Sequence, residues 1–172
     1  NYPNTTFYKS SNQITPTQEV DFDMNIERNR IWLDVVDSSG QSDRTLFGYI
    51  EGATMDYDSF FDTKTQIGTT MIIYSLDEQG NKFIIQGRAL PFDQTDQVPI
   101  GLNLINSGNF TISIGGIDGL FNNQNIYLID NLLNTVHNIK LAPYTFTSTA
   151  GVINDRFVIA YDNATLINNQ FS

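Results

Sequence analysis

The sequence predicts an all-β fold: an antiparallel two-sheet β-sandwich, jelly-roll-like in order, with a closed β-barrel as the alternative. Three observations lead there. Short β-branched and aromatic runs recur along the chain, several alternating apolar and polar residues with the period of two that a half-buried strand requires. Polar turns bearing Gly or Asn separate them. Helical 3.6-residue apolar spacing is nowhere sustained, which argues against the crossover helices of a parallel sheet.

Residues 1–18, with Pro3 and Pro16 set among Asn, Thr and Ser, read as an extended lead-in or linker, and residues 19–172 as a single β-sandwich domain. The first clear strand is expected over 30–36, where Ile31, Leu33 and Val35 share one face and Arg30, Trp32 and Asp34 the other. Runs at 45–51, 70–76 and 82–90 follow, the last ended by Pro91, which has no N–H to extend a ladder. Val98, Ile100, Leu102 and Leu104 fall on one face of a strand over 98–105, as Phe110, Ile112 and Ile114 do over 109–114. Shorter runs at 125–130, 135–139, 144–147 and 156–161 complete the set. Turn residues at 38–41, 77–81 and 106–108 predict hairpins, since Gly and Asn tolerate the positive φ of tight reversals. Residues 131–134 read as a fourth, with Leu132 and Leu133 alternatively placed to cap the core.

With 40% hydrophobic residues, including 12 Phe and 8 Tyr, the chain can fill a core of its own. Only 16% is charged, against about 25% in an average soluble domain, so Asn, Thr, Ser and Gln carry much of the surface. Net charge is −10, and the five Arg and four Lys are scattered singly. No basic stripe is available to neutralise phosphates, so nucleic acid is excluded as the expected partner. No apolar run approaches the roughly 18 residues of a membrane helix, so insertion into a membrane is not expected. The chain has no cysteine, which removes disulfides, thiolate metal sites and a cysteine nucleophile.

Groups with chemical potential are few. His137 is the single histidine, so a Ser-His-acid triad would have to be built around it and a multi-histidine zinc site is impossible within one chain. The densest acidic stretch, residues 51–62, offers Asp56, Asp58 and Asp62 as hard oxygen ligands for calcium. Its spacing lacks the glycine and terminal Glu of an EF-hand loop, and the competing reading is a solvated loop with Tyr57, Phe60 and Phe61 tucked into the sandwich. No cofactor is required. Glu19, Glu27, Glu51 and Glu78 make no convincing acid and nucleophile pair for glycoside hydrolysis, so no enzymatic activity and no catalytic residue are expected. Trp32, on the polar face of its strand, and Tyr57 are the candidate platforms for a sugar ring; the alternative for Trp32 is that Arg30 simply lies over it. Arg88 is expected to pair with an Asp of a neighbouring strand, and Asp155 with Arg156 at the entrance of the final strand.

Several strings also carry a family resemblance. Arg30-Ile31-Trp32-Leu33, residues 48–54 with Tyr57-Asp58, and Ile85-Gln86-Gly87-Arg88-Ala89-Leu90-Pro91-Phe92-Asp93 resemble a module of large secreted proteins of flavobacteria and related Bacteroidetes. Val98-Pro99-Ile100-Gly101, Tyr127-Leu128-Ile129-Asp130, Tyr144-Thr145-Phe146 and Asn154-Asp155-Arg156-Phe157 follow in the same order, so the similarity spans residues 27–161. In those proteins the module precedes the C-terminal sorting domain read by the type IX secretion system. The resemblance implies an extracellular address, secreted or attached to the cell surface, and brings no catalytic residues. The sequence reading is therefore a non-catalytic surface module that spaces or presents neighbouring domains and adheres to partners. Its alternative is a carbohydrate-binding module assisted by calcium.

Overall fold

The computed structural model describes residues 28–162, so the lead-in at 1–18 lies outside the described residues. Eleven strands follow in order: β1 (Asn29–Asp37), β2 (Ser42–Ile50), β3 (Thr63–Lys64), β4 (Ile72–Leu76), β5 (Lys82–Ala89), β6 (Gln97–Leu104), β7 (Gly108–Ile117), β8 (Tyr127–Asp130), β9 (Thr135–Asn138), β10 (Tyr144–Ser148) and β11 (Gly151–Ala160). All ten expected strands are present; the two-residue β3 and a short 3-10 turn, Gly119–Asn122, are additions. The fold is all-β.

The strands form one sheet in the order β10-β7-β1-β2-β5-β4-β6-β11-β8-β9, with β3 alongside β5. It doubles over into two layers and nearly closes into a barrel, so the sandwich and barrel descriptions meet. The sheet turns the corner twice. At the β4–β5 hairpin, Ser75 and Leu76 face Phe83 and Lys82. At the other corner a long two-stranded ribbon folds across: β6 pairs β11 in one layer, and their continuations β7 and β10 pair in the other. The Ala150 N–H donates to Ser107 Oγ at 3.0 Å where the two arms bend together. The turn at 106–108 is therefore no hairpin but one arm of this corner, because each strand pairs where its apolar face is buried, not with its neighbour in sequence. One pair departs from the antiparallel pattern: β2 and β5 run parallel, reached by the long excursion through β3 and β4.

Period-two patterning fills the interior. Ile31, Leu33 and Val35 are sealed from solvent, as are Phe47, Ile100, Leu102, Ile112 and Phe157. The hairpins at 38–41, 77–81 and 131–134 form as expected. In the first, Asp37 Oδ1 accepts from the Ser39 hydroxyl and from the N–H groups of Ser39 and Gln41, and that set holds its carboxyl below the usual range. In the last, Leu132 and Leu133 point to solvent and do not cap the core; Asp130 Oδ1 accepts their N–H groups instead.

Two buried arginines tie the layers. Arg88 leaves β5 on the inner side and bonds Asp96 through Nε and Nη2 at 2.8 and 2.7 Å. The Tyr49 hydroxyl donates to Asp96 Oδ2 at 2.6 Å and lies 3.1 Å from the Tyr161 hydroxyl. Arg88 thus finds its Asp in the loop before β6 rather than on a strand. Arg156 pairs with Asp130 of β8 at 2.9 and 2.8 Å, correcting the expected link to adjacent Asp155. The reason is a bulge: Asn154, Asp155 and Arg156 together sit opposite Gly101, which turns the arginine inward. Gly101 is needed there, because a Cβ would lie 2.0 Å from the ring of Tyr74, whose hydroxyl reaches Asn154 Oδ1.

Candidate functional site

The sequence's candidate residues converge on the outer face of β1, β2 and β5 and on the loop at residues 53–62. Trp32, Leu46 and Ile85 stand side by side in register across the three strands. The Trp32 ring is half-buried, seated against Gly116 of β7, and the Arg30 guanidinium lies over it at 4.6 Å. Asp118 fixes that cation by accepting from Arg30 Nε and from its backbone N–H, each at 2.8 Å. One face of the indole is therefore already covered by a cation.

Tyr57 stands on the far side of the same face. Its ring stacks on Phe83 with centroids 6.3 Å apart, and Lys64 Nζ sits 3.8 Å from the ring centre. Two strand spacings, about 10 Å, separate Trp32 from Ile85 across this face.

The three aspartates are only partly brought together. Asp62 is buried and spends both oxygens on backbone donors: Asp58 N–H at 2.7 Å and Gly87 N–H at 2.8 Å. Asp58 Oδ1 accepts the Phe60 N–H, and Asp56 faces solvent. Among the described residues no group of three His, Cys, Asp or Glu side chains is disposed to hold a metal ion. Asp62, accepting the Asp58 and Gly87 N–H groups, latches the loop onto β5. Phe61 is carried onto Gly87, where a Cβ would lie 2.5 Å from the Phe61 Cβ. Phe60, expected to tuck inward, is 91% exposed at the tip.

On this face lies a groove of about 330 Å³ lined by Leu46, Gly48, Ile85 and Gly87 and flanked by Arg30 and Phe61, with neither Trp32 nor Tyr57 in its lining. No strand-by-strand periodicity reveals it, although the Gly48–Gly87 register pair is its sequence trace. A second hollow of about 270 Å³ gathers Asp56, Asp77, Glu78 and Asp96 near Arg88. Asp96 is committed to Arg88 and Tyr49, and Asp77 accepts both the backbone and side-chain N–H groups of Asn81. His137 Nε2 donates to the Ala142 carbonyl at 2.7 Å, which keeps the ring in a turn contact.

Fold and site define an all-β domain with an apolar groove on its outer face. The chain belongs to the family described as Domain of unknown function (DUF8693), whose model matches residues 1–161. No curated protein and no solved structure matches the chain.

Proposed function

We propose that this domain is a non-catalytic module of a secreted or cell-surface bacterial protein, which spaces and presents the domains beside it. One observation carries the reading: four arginines and the histidine are held in ties within the domain. Arg30, Arg44, Arg88 and Arg156 pair with Asp118, Asp34, Asp96 and Asp130, and the lone histidine is bonded to a carbonyl. Such ties suit a part that must hold its shape while neighbouring domains are displaced. The extracellular address rests on the resemblance of the 85–93 and 154–157 strings to modules exported by type IX secretion.

The test replaces the module in its parent protein by an unrelated β-sandwich of similar span. Surface display, read by protease accessibility on intact cells, and the neighbours' activity should persist. Loss of adhesion or activity with display intact would overturn the passive role.

A carbohydrate-binding module is the second reading, supported by Trp32 and Tyr57 standing on one face. It ranks lower because Arg30 and Lys64 each occupy a ring face that a sugar would stack on. A glycan array, run with and without calcium, separates the two readings: reproducible hits lost in Trp32→Ala would promote the second.

A further inference from the structure

Strands β8 and β11 carry more apolar residues than one core face needs. Tyr127-Leu128-Ile129 and Phe157-Val158-Ile159-Ala160 run on without the polar alternation of a strand that has one side in water. Leu128, Phe157 and Ile159 are sealed in the interior, so Ile129 and Val158, which point the other way, lie on the outer side of the layer. The register joins them into a row. Val136 of β9 stands beside Ile129, Ile129 beside Val158, and Val158 beside Pro99 of β6. Three strand spacings make the row about 14 Å long. Val136 is 41% exposed and the other three are half-buried. The opposite layer shows what an outer face given over to water looks like in this fold: there Thr111 meets Thr145, and Asn109 meets Thr147, through side-chain hydrogen bonds.

At its Pro99 end the row opens into the hollow of about 270 Å³ beside Arg88. Met55, Leu76 and Pro99 give that hollow apolar walls, and Asp56, Asp77 and Glu78 bring three carboxylates to it. Arg88, the one cation in its lining, is already matched by Asp96. None of the other three carboxylates is ion-paired with a described residue. An apolar strip thus ends in a concentration of unbalanced negative charge.

We infer that this face docks a segment of a partner protein that carries apolar side chains followed by a lysine or arginine. The apolar side chains lie along Val136, Ile129 and Val158, and the cation enters the hollow. Lysine and arginine have an apolar stem and a charged head, and the hollow offers the matching halves: Met55 and Leu76 for the stem, Asp56, Asp77 and Glu78 for the head. The division of labour is that charge brings the partner in and fixes its direction, while burial of the row holds it. A second copy of this chain fits poorly, because at a net charge of −10 it would bring further carboxylates against these. The inference goes beyond the spacer reading and does not depend on it, since it is drawn from the outer side of one layer alone.

The probe is a synthetic peptide of alternating valine and lysine, with a peptide of alternating serine and lysine of equal length and charge as its control. Each is titrated into the full chain at about 0.15 M salt, where bulk charge attraction is largely screened, and binding is followed by backbone amide shifts in NMR. The expected result is saturable binding of the valine peptide about fivefold or more tighter than the control, with shifts centred on β8, β9, β11 and residues 55–56 and 76–79. Val136→Asp and Glu78→Lys, both at exposed positions, should each weaken it about fivefold, and Val136→Ser serves if the aspartate variant does not fold. Equal affinity for the two peptides, no saturable binding, or shifts centred on β1, β2 and β5 would overturn the proposal. So would undiminished binding by the folded Val136 and Glu78 variants. A concentration-dependent dimer of the parent chain that the Val136 variant abolishes would overturn it in favour of a second copy.

Discussion

The two buried arginine ties are built from the same three residue types and are not equivalent. At the end of β11, Arg88, Asp96 and Tyr49 meet beside an aromatic cluster in which Phe92 lies 4.8 Å from Tyr49 and 5.0 Å from Tyr161. At the bulge of the same strand, Arg156, Asp130 and Tyr144 meet between the rings of Phe146 and Phe157, 4.9 and 4.8 Å from the guanidinium carbon. The Asp130 side chain is 1% exposed and that of Asp96 13%, with the second hollow beside it. The first tie joins a loop to the layers and borders water. The second spans the seam where β10 approaches β8, where a hollow of about 340 Å³ reaches Arg156 while the Asp130 carboxylate stays sealed from solvent. A buried carboxylate that loses its cation must either be rehydrated or take up a proton, so access decides what each tie costs to break.

The largest expected effect follows from that difference. Arg156→Met should destabilise the domain by about 3–5 kcal/mol, the usual cost of leaving a buried charge unpaired. Arg88→Met should cost less, about 2–3 kcal/mol, since Asp96 can recover part of its hydration. Urea unfolding of both variants measures the order, and equal losses would break the comparison. If Arg156→Met does not fold, Arg156→Lys, which keeps the charge but not the two-pronged geometry, should still fall below the parent.

The pH dependence sharpens the same contrast. Burial works against the Asp130 charge, but the Arg156 guanidinium and the Tyr144 hydroxyl outweigh it and hold the carboxyl below its usual range. A depressed folded-state value means that the stabilisation is present above the unfolded-state pKa of about 3.9 and is lost as pH falls through the lower folded value. The gap between parent and Arg156→Met should therefore be widest at neutral pH and should shrink below about pH 4. A gap that is constant with pH would show that the arginine acts only through its packing on Phe146 and Phe157.

A smaller effect separates the tyrosines. Tyr49→Phe removes the hydroxyl that serves both Asp96 and the buried Tyr161 hydroxyl and should cost about 1–3 kcal/mol. Tyr144→Phe leaves Asp130 with Arg156 and two backbone N–H donors and should cost about 0.5–1.5 kcal/mol. The Tyr144 phenol, pushed up to about 12 by burial and by Asp130, provides an independent check by spectrophotometric titration.

Much of this architecture was legible in the sequence because strand period and turn chemistry are local. Ile31, Leu33 and Val35 declared a buried face from their spacing alone. Pairing partners are not local, which is why the Asn106-Ser107-Gly108 turn read as a hairpin when it is a corner of the β6–β7 arm. The Asp–Arg pair at 155–156 misled for a related reason: adjacency suggested a bond, whereas the bulge opposite Gly101 sends Arg156 across to β8. The Asp56, Asp58 and Asp62 cluster had the right composition for an ion, but composition does not reveal that Asp62 already satisfies two backbone donors. The groove escaped notice because its floor is a pair of glycines matched across parallel strands, a relation that no single strand displays.

That aspartate cluster supplies the smallest predicted effect and the third term of the comparison, a buried carboxylate held by peptide N–H groups and no cation. A ligand that binds only the folded state raises its apparent stability, so an ion seated among Asp56, Asp58 and Asp62 would raise the Tm. To bind there, calcium would have to displace the Asp58 and Gly87 N–H groups from Asp62 and unlatch the loop that carries Phe61 onto β5. Thermal unfolding in millimolar calcium should therefore match unfolding in EDTA within error, and Asp62→Ala should lower the Tm equally in both. A calcium-dependent rise that Asp62→Ala abolishes would reverse the assignment, making the loop an ion site whose carboxylates exchange their backbone partners on binding.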